Sequence, residues 1–283
     1  MSVVAFGAVR SAGVTTTIAA VAATGPSGRR ALMVEADPAG GTLAACFGLP
    51  TEPGLVSLAA AARRRVDPGL VWAHTQPAPH EGALLLAGPV AAEQARASLD
   101  MTGDLLAGLG RLDADVLVDC GRLDPASPAL PLFTAADLAV LVVRPQLPDL
   151  QHLAGWLQRR RPAATELGAV LVGPAAFAAA DIAETLGVPV WGQLPHDPAC
   201  VAALSSGPSR GLSRSPLTRH ARTLAETLTA RLPLSAVAEP LDGVGGGALD
   251  ATRHDAPADP VQDAAGGKEE PAATDQHRAA VTR

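Results

Sequence analysis

Residues 11–17, Ser-Ala-Gly-Val-Thr-Thr-Thr, join a short apolar segment at residues 3–6 to an alanine-rich stretch of helical composition. A turn of small residues that enters a helix exposes backbone N–H groups and the positive end of the helix dipole to an anion. A hydroxyl at the start of such a helix also suits Mg²⁺ beside a bound phosphate. The residue types therefore predict an anion-binding turn, although a turn of this kind is by itself a weak indication of a nucleotide site.

Lysine is missing from this turn. In the ungapped frame of G-x-x-x-x-G-K-[ST], Thr17 takes the position of the Mg²⁺-binding hydroxyl, Thr16 that of the lysine and Thr15 that of the second glycine. The sequence has one lysine, Lys268, far along the chain, and Arg10 is the nearest cation to the turn. Either Arg10 or another group supplies the missing charge, or the site has lost its catalytic power.

Acidic residues end two of the apolar segments. Glu35 and Asp37 stand at the end of the segment at residues 31–35, before a proline and two glycines, and Asp119 ends a later apolar run. An apolar strand that ends in aspartate is the form in which a carboxylate holds Mg²⁺ directly or through water in phosphoryl-transfer proteins. The same residue types are common in ordinary turns. The acids therefore indicate a Mg²⁺ site only in combination with the predicted anion-binding turn.

Short apolar runs alternate with helix-length segments rich in alanine and leucine. Runs of this length separated by crossover helices are typical of a parallel sheet covered on both faces. The sequence therefore predicts an α/β fold with a doubly wound, mainly parallel sheet and helices on both faces, in which ligands bind beyond the carboxyl ends of the strands. Strands are expected at residues 3–6, 31–35, 83–87, 116–119, 138–143, 169–173 and 188–191, and helices near 15–24, 91–109, 149–160 and 178–186.

A last helical pattern follows Pro216. Apolar residues from Leu217 to Leu232 recur at helical spacing, which predicts a helix packed on the sheet. Contact with a membrane is the alternative, and the lack of aromatic anchors disfavours it. From about residue 235 the chain turns to Gly, Ala, Pro and acidic residues, which cannot bury enough surface to fold. We expect one domain at residues 1–234 and a disordered acidic tail at 235–283.

Composition limits the class of protein. The net charge is −6 and lies mostly in the tail, so no strongly basic surface indicates nucleic acid binding. Arginine runs at residues 63–65 and 159–161 are expected to cap helix ends, with nonspecific DNA binding as the alternative.

Cys46, Cys120 and Cys200 match no metal or disulfide spacing. With no signal-peptide pattern and no membrane-length apolar window, we expect a soluble cytoplasmic protein.

Together, the turn and the acids resemble the MinD/ParA family of P-loop ATPases, the SIMIBI-class proteins with a deviant Walker A motif, which include the CpaE-like proteins. The family's K-G-G-V-G-K-T-T loop has its counterpart in residues 11–17, its D-x-D-P motif in residues 35–41 and its Walker B motif in residues 116–121. The similarity continues through residues 135–143 and 186–197. It spans nearly the whole predicted domain and implies the same doubly wound fold.

The resemblance also implies a site for ATP and Mg²⁺ in a homodimer. It assigns the metal to Thr17 and Asp119, and the catalytic switch role to Asp37. Pro195 and Asp197 are expected at the edge of the nucleotide pocket, with ordinary loop structure as the alternative for Asp197. The loop residues expected to contact the nucleotide are Arg10, Ser11, Ala12, Gly13, Val14, Thr15, Thr16 and Thr17.

The departures from the family pattern occur at positions that contact the nucleotide in the family. The two family lysines map to Ser11 and Thr16, or the first to Arg10 with a one-residue shift, and Gly173 stands where many relatives have an asparagine for the adenine. Losing one oxyanion-type donor typically lowers a rate about 10²–10³-fold. We therefore expect slow hydrolysis or none.

Two functional hypotheses follow. The first is an ATP-binding protein of intracellular positioning, in chromosome or plasmid partitioning, septum placement, or pilus and secretion assembly, acting with a protein partner. The second is a pseudo-ATPase scaffold that binds a protein partner without nucleotide turnover. The retained carboxylates favour the first hypothesis and the missing lysines favour the second. A Rossmann dehydrogenase is disfavoured because no G-x-G-x-x-G follows the first apolar segment.

Overall fold

A computed structural model describes residues 2–25, 29–62, 65–100, 102–160, 166–204 and 214–232. The strands in this part of the chain are β1 (Ser2–Ala8), β2 (Ala31–Glu35), β3 (Gln76–Pro77), β4 (Ala83–Leu86), β5 (Asp115–Arg122), β6 (Leu138–Val143), β7 (Glu166–Val172) and β8 (Val190–Leu194). The helices are α1 (Val14–Ala22), α2 (Leu43–Cys46), α3 (Leu55–Ala61), α4 (Pro68–Ala73), α5 (Ala92–Leu99), α6 (Thr102–Leu109), α7 (Leu130–Ala135), α8 (Leu147–Arg160), α9 (Ala179–Leu186), α10 (Pro198–Leu204) and α11 (Pro216–Arg231).

The eight strands form one sheet in the order β3-β4-β2-β5-β1-β6-β7-β8. Neighbouring strands are parallel, except that the short β3 runs antiparallel to β4. The chain begins in the centre at β1, and it winds outward on one side to β2 and β4 and on the other to β6, β7 and β8. A reversal of this kind opens a ligand crevice beyond the carboxyl ends of the central strands. The doubly wound, mainly parallel sheet predicted from the sequence is confirmed.

Two apolar layers hold helices against the two faces of the sheet. Side chains alternate along β1, so that Val3 and Ala5 join a core that includes residues of α3, α4 and α6 to α9, while Val4 and Phe6 join a core that includes residues of α1, α10 and α11. The side chains of these β1 residues are at most 3% exposed. Burial on both faces explains why the strands appear in the sequence as continuous apolar runs.

The predicted elements differ from the observed ones mainly at their ends. The single helix expected at residues 91–109 is divided into α5 and α6; the C-cap of α5 is Asp100, a residue type that disfavours helix interiors. The strand expected at residues 188–191 begins two residues later and extends to Leu194. Short elements such as α2 and β3 were not predicted, since four or fewer residues carry little periodicity.

The helix predicted after Pro216 is α11, and it packs on the sheet beside β8 and α1. Its stripe of Leu217, Ala221, Leu224 and Leu228 is buried, as expected for a core-facing helix. Among the described residues, none of the helices combines the length and the apolar content that crossing a bilayer requires. The predicted domain boundary at residue 234 and the predicted tail lie outside the described residues.

Candidate functional site

The loop between β1 and α1 delivers a helix N-terminus to the carboxyl edge of the sheet. Gly13 caps α1 with a left-handed backbone, φ 86°, which favours glycine because a side chain would crowd the carbonyl oxygen. The first turn closes where the Thr17 N–H donates to the Gly13 carbonyl oxygen over 2.9 Å. Below that turn Ile18 is fully buried. The apolar side of α1 is therefore fixed in the core while its N–H groups face the crevice.

A polar cleft of about 550 Å³ lies on one side of this loop. Its other walls come from the loop after β2 and from the end of β5 with the residues that follow. It holds acids and arginines together, which suits a phosphate group with a divalent cation. The residues that line the polar cleft are Ala8, Arg10, Ser11, Ala12, Gly13, Val14, Thr15, Thr16, Asp37, Pro38, Ala39, Arg96, Gly121, Arg122 and Asp124.

An apolar cleft of about 600 Å³ lies on the other side of the same loop. The two clefts share residues 11–13 and Thr16, so the loop forms a common wall between them. Apolar side chains from β7, β8, α10 and α11 make up much of its surface, and they suit a planar ring. The residues that line the apolar cleft include Thr17, Arg144, Gln146, Val172, Gly173, Leu194, Pro195, His196, Asp197, Val201, Ala202 and Leu217.

Glu35 is buried, at 3% exposure, and serves as an anchor for the loop after β2. Its Oε1 accepts the N–H groups of Thr42 (2.6 Å) and Leu43 (2.7 Å) at the start of α2, and its Oε2 accepts that of Gly88 after β4 (3.1 Å). Burial raises the pKa of Glu35, and these backbone hydrogen bonds oppose the shift. The first acid of the motif therefore ties the far end of the loop that carries the second acid to the end of β2 and to Gly88.

Asp37 lies in the polar cleft, against the end of β5. The Ala36 N–H donates to the Asp119 carbonyl oxygen over 2.9 Å, which keeps the loop beside β5. The Asp37 carboxylate accepts the Ala39 N–H over 2.8 Å and touches Gly121, where a Cβ atom would overlap it. The catalytic role of Asp37 stays a prediction, and its position depends on a glycine in the Walker B segment.

Substitution of Gly121 by alanine should lower the free energy of unfolding by about 2–4 kcal/mol, because it adds a steric overlap to a left-handed backbone, φ 57°. Gly48 provides a matched control, since its backbone is also left-handed (φ 66°) and nothing lies within 4 Å of an added Cβ. Urea unfolding of both variants separates backbone strain from contact with Asp37. Equal losses for Gly48→Ala and Gly121→Ala would contradict the contact.

Asp119 is buried, at 2% exposure, in the second half of β5. Its Oδ2 accepts the Thr15 hydroxyl over 2.6 Å and its Oδ1 accepts the Gly121 N–H over 2.9 Å. Burial raises the pKa of Asp119 to about 7; the hydrogen bonds from Thr15 and Gly121 oppose the shift, and the charges of Asp37 and Glu35 add to it. Near neutral pH this carboxyl group is therefore balanced between its protonated and ionised forms.

The threonines of the loop are arranged differently from the motif alignment. Thr15, which takes the place of a glycine, makes the contact with Asp119. Thr17, the predicted metal ligand, is 1% exposed, and its hydroxyl donates to the Gly13 carbonyl oxygen over 2.9 Å. Thr16 lines both clefts. The structure thus brings Thr15, rather than Thr17, to the carboxylate predicted to hold Mg²⁺.

Pro195 and Asp197, expected at the edge of a nucleotide pocket, line the apolar cleft, and the Asp197 carboxylate has structural partners. It accepts the Cys200 N–H at the start of α10 over 2.9 Å and the Ser215 hydroxyl over 2.7 Å. The hydrogen bond from Cys200 and then that from Ser215 lower the pKa of Asp197. The Ser215 hydroxyl oxygen in turn caps α11 by accepting the Leu217 N–H. Asp197 therefore links the starts of two helices.

Arg10 lines the polar cleft, but its charge is engaged elsewhere. Its Nε lies 3.1 Å from the carboxylate of Asp149, which also pairs with Arg144 at 3.0 Å. A second nitrogen of Arg10 donates to His152 over 3.1 Å. The Asp149 side chain is only 7% exposed, and its two cationic partners offset the cost of burying its charge. Arg10 therefore links the loop to α8 through Asp149 and His152.

Arg96 of α5 and Arg122 at the end of β5 also line the polar cleft, and reasoning from the sequence missed both. Within the described part of the chain neither forms an ion pair. The sequence signal for Arg122 was its place directly after the Walker B segment. Of the two arginine runs predicted to cap helices, Arg159 and Arg160 lie exposed in the last turn of α8. Arg65 lies exposed between α3 and α4 and not at a helix end, and residues 63, 64 and 161 lie outside the described residues.

The acidic side chains suit Mg²⁺ that arrives with a nucleotide better than a resident metal ion. Carboxylate and hydroxyl oxygens at Asp37, Asp119 and Thr15 are ligands of the type that Mg²⁺ prefers, and phosphate oxygens normally complete its shell. Among the described residues no group of three or more His, Cys, Asp or Glu side chains is placed to hold a metal on its own. The donor set therefore fits a metal–nucleotide complex.

Comparison with known proteins places this architecture. The chain is similar to a ParA family ATPase from Chlorobium tepidum TLS, with TM-score 0.67, 17% identity, and coverage of 80% of this chain and 98% of that one. It is similar to the septum site-determining protein MinD of Pyrococcus horikoshii OT3 in complex with Mg-ADP, with TM-score 0.65, 18% identity, and coverage of 81% and 96%. No family model and no curated protein matches the sequence.

The same fold also serves an enzyme of different chemistry. A cobyrinic acid a,c-diamide synthase from Mycobacterium smegmatis, solved with an ATP analog and magnesium, aligns with TM-score 0.56, 20% identity, and coverage of 81% of this chain and 95% of that one. At such identities the similarity concerns the fold. The chain has the P-loop fold of the ParA and MinD ATPases.

Proposed function

We propose that this protein binds ATP with Mg²⁺ across the loop after β1. The observation that carries the proposal is the pair of clefts around one helix N-terminus, which share residues 11–13 and Thr16. The polar cleft offers the α1 N-terminus, carboxylates and arginines to a triphosphate. The apolar cleft offers Val172, Leu194 and other apolar side chains to the base. A nucleotide needs two such surfaces next to each other, because its charged and planar parts are joined by one ribose.

The arrangement favours binding over turnover. Bound Mg²⁺ would supply charge neutralisation beside Asp119 and Asp37, and the N–H groups of the loop would hold the phosphates. The described part of the chain contains no lysine to stabilise charge on a transferred phosphoryl group. To Asp37, which lines the polar cleft, we assign the orientation of an attacking water molecule. We therefore expect hydrolysis that is slow or lost.

We further propose a role in intracellular positioning, as a nucleotide-dependent homodimer in the cytoplasm that engages a protein partner. Chromosome or plasmid partitioning, septum placement, and pilus or secretion assembly are the processes considered. Support comes by analogy from neighbours with this fold, a ParA family ATPase and a septum site-determining MinD. Nonspecific DNA binding through exposed arginines is a separate alternative to the protein partner.

Calorimetry on the full chain tests nucleotide binding. We expect MgATP and MgADP to bind at millimolar concentration or below, with little or no phosphate release in a parallel assay. Ala202→Trp should weaken binding at least tenfold, because Ala202 is exposed in the apolar cleft and an indole would occupy the space for the base. Ala180→Trp, at an exposed position of α9, should bind as the parent does. No binding at millimolar nucleotide would overturn the proposal.

A scaffold that binds a protein partner without nucleotide is the second candidate. Two observations favour it: the described residues include no lysine, and Thr15 and Gly121 already satisfy the Asp119 carboxylate. Light scattering with and without MgATP separates the candidates. A nucleotide-gated protein should change its oligomeric state when MgATP is added, whereas a scaffold should keep one state in both conditions.

A further inference from the structure

The polar cleft needs a cation that the loop itself does not provide. Lysine is absent from the described residues, and Thr16 stands where the motif places it. Three arginines line the cleft: Arg10, Arg96 and Arg122. Which of them is free to meet a phosphate depends on the partners that each already has.

Arg10 is committed to the start of α8. Its guanidinium shares the buried carboxylate of Asp149 with Arg144 and also donates to His152. Moving it onto a phosphate would leave Asp149 with one cation and would give up the contact with His152. Arg10 is the nearest cation in sequence, but it is the one most restrained by existing contacts.

Arg122 contacts the loop after β1 from the end of β5. It is the last residue of β5, in register with Ala8 at the end of β1, so its backbone lies in the centre of the sheet beside the start of the loop. Its Nη2 donates to the Ser11 hydroxyl over 3.2 Å. No ion pair restrains its guanidinium among the described residues, so its other N–H donors are available.

Arg96 lies in the same cleft but on the surface of α5. No hydrogen bond from its side chain to the loop is present within the described part of the chain. A guanidinium that already touches the loop loses less conformational freedom on binding than one that must approach from an exposed helix. This difference favours Arg122 over Arg96 as the principal cation.

We propose that Arg122 is the phosphate ligand that replaces the missing loop lysine, binding the terminal phosphates of the nucleotide with its guanidinium fork. The assignment rests on the proposed function, since it concerns the same cleft. A planar fork can donate two parallel hydrogen bonds to one phosphate, which a lysine ammonium does not do. The charge is thus supplied from the end of β5, next to the Walker B carboxylate, instead of from within the loop.

The test uses calorimetry on the full chain with MgATP, MgADP and tripolyphosphate. Arg122→Gln should weaken MgATP binding about 10- to 100-fold, the range expected for a charged hydrogen-bonding group, and Arg122→Lys should fall in between. Arg160→Gln, at an exposed arginine in the last turn of α8, should leave affinity unchanged. Because Arg122 and Arg160 are both exposed, all three variants should keep the thermal stability of the parent.

Two further readouts separate phosphate binding from a structural role. The dependence of MgATP affinity on NaCl should be shallower in Arg122→Gln, because one ionic contact is lost. Arg10→Gln should reduce affinity less than Arg122→Gln does. If the parent binds MgATP and Arg122→Gln binds it with an affinity within twofold of the parent's, the assignment to Arg122 is overturned and the proposed function stands.

The remaining outcomes are also decisive. If the parent bound tripolyphosphate through Arg122 but failed to bind MgATP, the proposed function would fall and the anion site would stand. If neither ligand bound the parent at millimolar concentration, both proposals would be overturned.

Discussion

Replacement of Glu35 by alanine is expected to lower the free energy of unfolding by about 3–5 kcal/mol. The side chain accepts three backbone N–H groups, from Thr42, Leu43 and Gly88, and it is 3% exposed. Each buried donor left without a partner costs about 1–3 kcal/mol, and the missing side chain also leaves a cavity. Urea denaturation monitored by circular dichroism measures the loss.

Glu35→Gln should give an intermediate loss. Its amide oxygen can still accept from Thr42 and Leu43, while its NH₂ group would face the Gly88 N–H, and two donors cannot bond each other. The control is Glu166→Gln, which breaks an exposed ion pair with Arg231 and should change stability by less than about 1 kcal/mol. An effect of Glu35→Ala no larger than that of Glu166→Gln would show that the hydrogen bonds do not anchor the loop.

The two acids of the second motif show what the sequence could and could not predict. Their spacing on alternate residues at a strand end placed both correctly at the carboxyl edge. The two side chains nevertheless lie in different environments: Glu35 is buried and Asp37 lies in the polar cleft. The buried position of Glu35 depends on its hydrogen bonds with Gly88 and with the start of α2. Those partners come from a different strand end and from a helix of four residues, which have no local signature.

The side-chain partners of Arg10 and Thr17 could not be predicted, for the same reason. Arg10 is closest to the loop along the chain, but its partner Asp149 comes from a helix 139 residues later. Thr17 aligns with the metal ligand of the motif, yet the turn at Gly13 directs its hydroxyl to a carbonyl oxygen and brings Thr15 to Asp119. Strand periodicity predicts the fold because it is local, whereas side-chain partners depend on tertiary contacts.

Replacement of Asp119 by asparagine is expected to make the metal-free protein more stable at pH 8 than the parent. The folded-state pKa is about 7 because the group is buried, against about 3.9 for an unfolded aspartate. Below about pH 4 both states are protonated and the group contributes nothing. As pH rises from about 4 to 7 the unfolded state loses this proton first, so the parent loses stability, on the order of 4 kcal/mol in total.

Asparagine has no such titration and can keep both contacts, with its oxygen accepting the Gly121 N–H and its NH₂ group donating to the Thr15 hydroxyl oxygen. The measurement is the difference in unfolding free energy between the two proteins in EDTA from pH 4.5 to 8.5, in which titrations shared by both proteins cancel. A difference that stays constant with pH would contradict the raised pKa.

If the difference in unfolding free energy between Asp119→Asn and the parent rises with pH, it also indicates a role for the Asp119 carboxylate. Within the described residues Asp119 has no ion pair, so its charge is destabilising in the free protein. A buried charge of this kind becomes favourable when a bound cation neutralises it. Asp119→Asn should therefore gain stability without ligand and lose the Mg²⁺-dependent part of nucleotide affinity, a pairing that a purely structural aspartate would not produce.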